Sequence, residues 1–286
     1  MKELILLNGN KIPTLAYGTW LIKNENACQC VKMALEAGYR HIDTAQAYGN
    51  EEGVGQGIRE SGLKREEIYI TSKVDASYKS YKKAKKSIED SLKRLGVDYI
   101  DLMLIHCPQP WILFRSPFRY FKQNIQVWKA MEEAYKEGKL KAIGVSNFLV
   151  DDLENIINNC EIKPMANQIL LHIGETPVDV IKFCQENGIV VEAYSPIAHG
   201  KALKNEKIKA MADKYKVSVP QLCIRYTLQL DTVSIPKASS KEHIEENMKL
   251  DFEINEEDMI ELMKLNRMDY GEDALWPVFN KKKQGQ

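Results

Sequence analysis

Two kinds of hydrophobic spacing alternate along this chain after a short N-terminal segment. Residues 4–7 (Leu-Ile-Leu-Leu) precede an Asn-Gly pair and Lys11-Ile12 follow it, which predicts a β-hairpin within residues 1–13. Beyond this hairpin, several segments carry apolar residues at the spacing of one helix face. These stripes are Ala27, Val31, Ala34 and Leu35; Ala84, Ile88, Leu92 and Leu95; Val127, Met131, Ala134 and Tyr135; Ile208, Met211, Ala212 and Tyr215; and Val219, Leu222, Cys223 and Tyr226.

Short apolar segments between the stripes predict eight strands. They are residues 15–18, 41–42, 68–72, 100–105, 142–145, 165–167, 190–193 and 233–235. Several, such as residues 102–105 (Leu-Met-Leu-Ile), are continuously apolar, as expected of strands covered on both faces. Alternating strands and helices indicate a parallel sheet of the α/β class, and eight units favour a closed (β/α)8 barrel over a doubly wound open sheet. No linker-like stretch divides the chain, so residues 1–286 are predicted to form one barrel domain.

Three longer features need their own interpretation. Residues 53–57 (Gly-Val-Gly-Gln-Gly) have Ile58 where a dinucleotide-binding fingerprint has its last glycine, and they lie in a predicted helix, so they are not a Rossmann loop. Residues 108–124 are rich in aromatic residues, Trp111 among them, and the tail 268–286 contains Trp276. The first segment follows the fourth strand on the face where barrel active sites lie. It is either an aromatic wall of a ligand pocket or a locally packed loop.

Composition and charge narrow the kind of partner. The 40 Lys and Arg balance 40 Asp and Glu, so the chain lacks the positive field that binding to nucleic acid or an anionic membrane requires. There is no apolar run of about 18 residues and no signal-peptide pattern, which predicts a cytoplasmic protein. The six Cys show no zinc-type or redox-type spacing, which predicts reduced thiols and no metal site. A small-molecule ligand is therefore expected.

Four polar residues follow consecutive predicted strands. Asp43 ends the second strand, Tyr48 lies in the next loop, Lys73 ends the third and His106 ends the fourth. The C-terminal ends of barrel strands meet at one mouth, so these side chains are expected in one pocket. A Lys held charged by a carboxylate stabilises a neighbouring phenolate, which would lower the Tyr48 pKa from its usual value of about 10. Tyr48 would then act as a general acid while His106 orients a carbonyl oxygen. The alternative is that each of these four residues has its own structural role and that they form no common site.

These residues belong to a wider set of motifs that resembles the aldo-keto reductase family from residue 1 to about residue 276. The motifs are residues 18–20 (Gly-Thr-Trp), 38–45 (Gly-Tyr-Arg-His-Ile-Asp-Thr-Ala), 48–51 (Tyr-Gly-Asn-Glu), 71–73 (Thr-Ser-Lys), 144–148 (Gly-Val-Ser-Asn-Phe), 193–196 (Ala-Tyr-Ser-Pro) and 235–237 (Ile-Pro-Lys). The resemblance implies a (β/α)8 barrel that uses NADPH or NADH without a Rossmann domain. It implies Tyr48 as proton donor, tuned by Lys73 and Asp43, with His106 positioning the carbonyl. It also suggests a monomer.

The resemblance further implies a cofactor site. The nicotinamide carboxamide would bind Ser146, Asn147 and Gln168, and the ring would stack on Tyr194. The other implied cofactor contacts are Gly18, Thr19, Trp20, Asp43, Ser195, Pro196, Ile197, Ile235, Pro236, Lys237, Ala238, Ser239, Ser240, His243, Glu246 and Asn247. Relatives that prefer NADPH commonly carry Arg at the position of His243. Lys237, Ser239 and Ser240 remain as phosphate partners, so NADPH is still the expected cofactor, and the His at position 243 leaves NADH as an alternative.

The expected activity is reduction of small aldehydes and ketones to alcohols by hydride from nicotinamide C4. The residues expected to flank the substrate are Trp20, Tyr48, Asp75, His106, Trp111 and Trp276. The acid at Asp75 would disfavour anionic substrates, and the alternative is that Asp75 is a solvated loop residue. Two alternatives remain, namely a non-catalytic NADP(H)-sensing barrel subunit and a Schiff-base lyase or aldolase that uses Lys73.

Overall fold

A computed structural model of the chain describes residues 2–280, and the end of the predicted tail, residues 281–286, lies outside them. An N-terminal hairpin precedes an eight-stranded sheet in which each strand pairs in parallel with the next along the chain. The hairpin strands are β1 (Glu3–Ile5) and β2 (Lys11–Pro13). The sheet strands are β3 (Tyr17–Gly18), β4 (His41–Asp43), β5 (Tyr69–Val74), β6 (Leu102–Ile105), β7 (Ile143–Ser146), β8 (Ala166–Leu170), β9 (Val190–Tyr194) and β10 (Val233–Ile235).

The sheet closes on itself. A parallel bridge joins Leu15, just before β3, to Ser234 of β10. Around it, the Ala16 N–H donates to the Ser234 carbonyl at 2.9 Å and the Ser234 N–H donates to the Thr14 carbonyl at 2.8 Å. Both the predicted (β/α)8 barrel and the predicted hairpin are confirmed.

Helices surround the barrel and bury the predicted apolar stripes against it. Helix α1 buries Ala27, Val31, Ala34 and Leu35. Within residues 2–280, none of the helices has the length and hydropathy that crossing a membrane requires. The helices are α1 (Asn24–Glu36), α2 (Glu51–Glu60), α3 (Tyr81–Leu95), α4 (Phe121–Lys136), α5 (Val150–Ile157), α6 (Val178–Glu186), α7 (Glu206–Tyr215), α8 (Val219–Leu228), α9 (Lys241–Glu246) and α10 (Glu256–Met263).

The interior of the barrel has an apolar and a polar part. Residues of the hairpin and of alternate strand positions form an apolar cluster that includes Leu6, Ile12, Leu102, Leu104 and Val233. Further along the strands, toward their C-terminal ends, the buried residues are polar or charged: Asp43, Lys73, Gln168 and Glu192. Because apolar side chains fill one part, the polar groups are concentrated where barrel active sites lie.

Helix α2 is held close to its neighbours by the three glycines of residues 53–57. A Cβ on Gly53 would lie 2.3 Å from the carbonyl oxygen of Asn24, the first residue of α1, and a Cβ on Gly57 would lie 2.7 Å from that of Cys28 in the same helix. A Cβ on Gly55 would lie 2.0 Å from the carbonyl oxygen of Leu95 at the end of α3. These glycines therefore permit close helix packing, in agreement with the rejection of a nucleotide-binding loop.

This packing predicts a large stability loss on adding one methyl group. Gly55→Ala should lower the free energy of unfolding by roughly 1–3 kcal/mol, since the new Cβ would overlap backbone that has to move. Urea unfolding followed by circular dichroism measures the change. The exposed neighbour Gln56→Ala is the matched control and should shift it by less than about 0.5 kcal/mol. Equal stabilities of the two variants would contradict the packing role.

Candidate active site

A cavity of about 870 Å³ lies at the C-terminal ends of the barrel strands. It brings together residues that are far apart in the sequence, from Gly18 to Phe279. Most of the predicted site residues line it: Gly18, Trp20, Asp43, Tyr48, His106, Trp111, Ser146, Asn147, Gln168, Tyr194, Ser195, Pro196, Ile197, Ile235, Pro236, Lys237, Ala238, Ser239, His243, Glu246, Asn247 and Trp276.

Four of the expected site residues are not in the cavity lining. Lys73 lies beneath it, 3.3 Å from the Tyr48 hydroxyl. Thr19 is buried and donates to the Asp43 carbonyl, and Ser240 caps α9 by accepting the His243 N–H. The carboxylate of Asp75 accepts the N–H and O–H of Ser77, at 2.8 and 2.6 Å, in a local turn. These contacts favour the interpretation of Asp75 as a loop residue over a role in repelling anionic substrates.

Asp43, Lys73 and Tyr48 form a buried chain of hydrogen bonds. The Lys73 ammonium donates to both Asp43 carboxylate oxygens and to the Thr44 carbonyl, each at 2.8 Å. It also donates to the Tyr48 hydroxyl at 3.3 Å. Asp43 ends β4 and Lys73 lies near the end of the neighbouring β5, so parallel pairing of the two strands sets this geometry. The ammonium is fully buried.

The charge states follow from burial and from the ion pair. Burial raises the pKa of Tyr48; Lys73 acts in the opposite direction but does not outweigh it. The expected lowering of the Tyr48 pKa is therefore not found in this structure. Burial alone would lower the pKa of Lys73, but Asp43, Tyr48 and Glu192 together outweigh it and the net pKa is raised. Burial, with Lys73 and Lys79, puts the pKa of His106 well below its usual value, so its imidazole is neutral.

Two amide side chains are fixed at the base of the cavity. The Gln168 amide nitrogen donates to Asp43 Oδ2 at 2.8 Å and to Glu192 Oε2 at 3.2 Å. The Tyr194 hydroxyl donates to Asn147 Oδ1 at 2.7 Å. The sequence interpretation did not identify Glu192 as a partner of Gln168, although a carboxylate in the otherwise apolar residues 190–193 (Val-Val-Glu-Ala) is a visible signal.

Aromatic rings form another wall of the cavity. The ring of Trp20 lies 5.3 Å from that of Trp276 and 5.4 Å from that of His199, and Trp111 lies 5.1 Å from His106. Asp273 forms an ion pair with Lys201 at 3.1 Å and also lies 3.1 Å from His199 Nδ1, and these contacts join the loop after β9 to the C-terminal tail. His199 and Phe279 also line the cavity and were missed, because their contacts depend on where the tail packs.

The donor set of the cavity fits an amide-bearing ring joined to phosphate groups. Ser146, Asn147 and Gln168 supply amide and hydroxyl groups, whereas Lys237 and His243 supply groups that can bind an anion. Because Gly18 has no side chain, its backbone can lie close to Ile235. A Cβ at this position would be 3.1 Å from Ile235 Cγ2. The loop that contains Lys237 is fixed to the barrel by the buried Tyr17, whose hydroxyl donates to the Ala238 carbonyl at 2.5 Å. The sequence interpretation did not identify Tyr17.

The buried ion pair predicts a stability loss. Lys73→Met should lower the free energy of unfolding by about 3–5 kcal/mol, because it leaves the Asp43 carboxylate buried without its cation. The double variant Lys73→Met/Asp43→Asn should recover part of this loss. Denaturant unfolding measures both, and Lys86→Met, which removes an exposed i,i+4 pair with Asp90, is the control expected to change little. A single variant as stable as the control would contradict this prediction.

Comparisons with known proteins agree with this geometry. The Aldo/keto reductase family profile matches residues 14–267. The glyoxal reductase of Bacillus subtilis is 42% identical over 270 residues, which cover 93% of this chain and 94% of that protein. An aldo/keto reductase structure from Brucella melitensis is 39% identical with a TM-score of 0.86, covering 93% and 99% of the two chains. A Bombyx mori aldo-keto reductase in complex with NADP is 34% identical with a TM-score of 0.83, covering 93% of each chain. This chain belongs to the aldo/keto reductase family.

Proposed function

We propose that this protein is an NADPH-dependent reductase of small aldehydes and ketones in which Tyr48 donates the proton. The observation that carries the proposal is the buried Asp43–Lys73–Tyr48 chain beneath a cavity with aromatic and amide-bearing walls. Family membership supports carbonyl reduction as the reaction class.

The contact between Lys73 and Tyr48 orients the proton of Tyr48. An ammonium group has no acceptor, so the Tyr48 oxygen accepts in this contact and its own O–H is free to point into the cavity. The raised Tyr48 pKa keeps that proton in place until an oxygen that gains negative charge accepts it. The Lys73 cation then stabilises the phenolate that remains.

His106 is suited to hold the carbonyl oxygen. Its ring lies 5.6 Å from that of Tyr48, and both residues line the cavity. A neutral imidazole carries one N–H, which can donate to the same substrate oxygen that Tyr48 protonates. Two donors directed at one oxygen stabilise the charge that develops on it during reduction.

The cofactor assignment rests on the fit of the cavity and on the NADP bound in the Bombyx mori relative. When bound, NADPH supplies the hydride that reduces the carbonyl carbon. Asn147 and Gln168 hold its carboxamide, and Tyr194 provides the stacking surface for the ring. Lys237 and His243 face the adenosine phosphate, where the shorter His in place of Arg leaves room for some use of NADH.

The apolar walls and the limited space of the cavity indicate the class of substrate. Trp20, Trp111 and Trp276 offer apolar surface, and the cavity is shared with the cofactor, which favours small carbonyl compounds. Since the Bacillus subtilis relative is named a glyoxal reductase, small α-dicarbonyls are the first substrates to test.

The geometry does not favour the Schiff-base alternative. Nucleophilic attack requires a neutral amine, yet the Lys73 nitrogen donates to Asp43, Thr44 and Tyr48 and its pKa is raised. Borohydride trapping of a carbonyl substrate on Lys73 is therefore expected to fail.

Removing the proton donor tests the proposed reaction. Tyr48→Phe should lower kcat/KM for carbonyl reduction by about 10²–10⁴-fold, the usual contribution of a positioned acid, without loss of NADPH binding. Nicotinamide absorbance measures turnover and protein fluorescence measures binding. Tyr226→Phe, which also loses a buried hydroxyl but lies outside the cavity lining, is the matched control. Substantial turnover in Tyr48→Phe would refute the assignment.

Cofactor choice is predicted to depend on His243. His243→Arg should raise the preference for NADPH over NADH by about tenfold, because a guanidinium binds phosphate with two parallel hydrogen bonds. The ratio of kcat/KM for the two cofactors measures it. Asn159→Arg adds the same charge at an exposed site and should leave the ratio unchanged. If both variants changed this ratio by a similar amount, the phosphate group of NADPH would not bind next to residue 243.

A further inference from the structure

A second carboxyl group lies in the barrel beneath the proposed catalytic residues. Glu192, in the middle of β9, has no exposed surface. One of its oxygens accepts from the Gln168 amide at 3.2 Å, and the same nitrogen donates to Asp43 at 2.8 Å. The other oxygen, Oε1, is buried without a hydrogen-bond partner among the described residues. Glu192 and Asp43 are thus linked through one amide group.

The groups that face Glu192 compensate a charge on it only in part, through the attraction of Lys73. His41 Nε2 lies 3.7 Å from Glu192 Oε1 but is bonded to Thr71, and burial lowers the pKa of His41 to about 3, so it is neutral. Lys73 is held by Asp43. The Tyr69 hydroxyl is also buried without a partner among residues 2–280. On the neighbouring strand β10, the residue paired with Glu192 is Val233, which carries no charge.

These surroundings determine when Glu192 ionises. Burial, followed by the nearby negative charge of Asp43, raises the pKa of Glu192 to about 8. The group is therefore mainly uncharged in neutral solution and becomes charged under mildly alkaline conditions.

The shared amide also fixes the direction of Gln168. Both hydrogens of its nitrogen are engaged by the two carboxyl groups, which directs the amide oxygen to the other side, where the residue lines the cavity. An acceptor at that place suits the amide hydrogens of a nicotinamide.

We propose that Glu192 is a positioning residue that holds Gln168 for the cofactor and, through its own charge, sets how tightly Tyr48 retains its proton. This inference rests on the proposed role of Tyr48. An ionised Glu192 adds negative charge beside Asp43 and so disfavours the Tyr48 phenolate. Tyr48 then remains protonated, and able to reduce carbonyls, to higher pH.

Glu192→Gln tests this charge effect, because it keeps a hydrogen-bond acceptor and removes the ionisation. The ratio of the variant's kcat for reduction to that of the wild type is expected to fall by up to about tenfold once the pH exceeds the Tyr48 pKa, which is raised above its usual value, because Tyr48 would lose its proton about one pH unit earlier in the variant. Glu132→Gln, a buried acid in α4 that accepts the N–H groups of Glu161 and Ile162, is the control and should show a constant ratio. A constant ratio for Glu192→Gln would overturn the proposal.

Glu192→Leu tests the positioning effect. It removes the acceptor for Gln168, and the Kd of NADPH from fluorescence titration is expected to rise about tenfold, whereas Glu192→Gln should give a much smaller rise. Equal affinity in the Leu variant and the wild type would contradict the positioning role.

Thermal unfolding provides a readout that does not depend on activity. The folded protein keeps the Glu192 proton to a higher pH than the unfolded chain, so this group destabilises the wild type as pH rises from about 4.5 to about 8. The Tm of Glu192→Gln should therefore fall less than the Tm of the wild type over this pH range. A wild type that reduces no carbonyl would refute the proposed function, even with the expected Tm result. Carbonyl reduction with identical Tm curves would refute the inference alone.

Discussion

The buried pair of Lys73 and Asp43 constrains the whole interior of the barrel. An ammonium group without water must be surrounded by acceptors, and here two carboxylate oxygens and the Thr44 carbonyl supply them. Asp43 then needs a further donor, which Gln168 provides. The Tyr48 hydroxyl completes the environment of the ammonium. The contacts that solvate one charge thus also orient the groups proposed to perform the chemistry.

Such a polar interior is tolerated because it occupies only part of the barrel. Beneath it, Leu102, Leu104 and Val233 pack with Leu6 and Ile12 of the hairpin and close the barrel from the other side. The apolar cluster supplies burial energy, and the polar groups bond to one another rather than to water. This division explains how the barrel can hold several buried charges and still contain an apolar cluster.

The sequence predicted the parts of this molecule that depend on local pattern. Continuous apolar strands such as residues 102–105 and the stripe of α1 indicated the barrel, and strand order then placed Asp43 near Lys73. The two interpretations of Asp75 could not be separated from the sequence, because strand order does not reveal that its side chain bonds within its own turn. The His199–Asp273 contact joins segments 74 positions apart, and the net pKa of Tyr48 depends on burial; both are properties of the packed structure.

The closure between Leu15 and Ser234 also bears on how the molecule is made. The first sheet strand stays unpaired on one side until almost the whole chain has been synthesised, and the Tyr17–Ala238 hydrogen bond forms at the same late stage. Contacts between such distant residues slow folding, and an open strand edge is a template for aggregation. A chain truncated before β10 would therefore expose the edges of both β3 and β9. Such a chain would also lack Lys237, His243 and Trp276, which line the cavity.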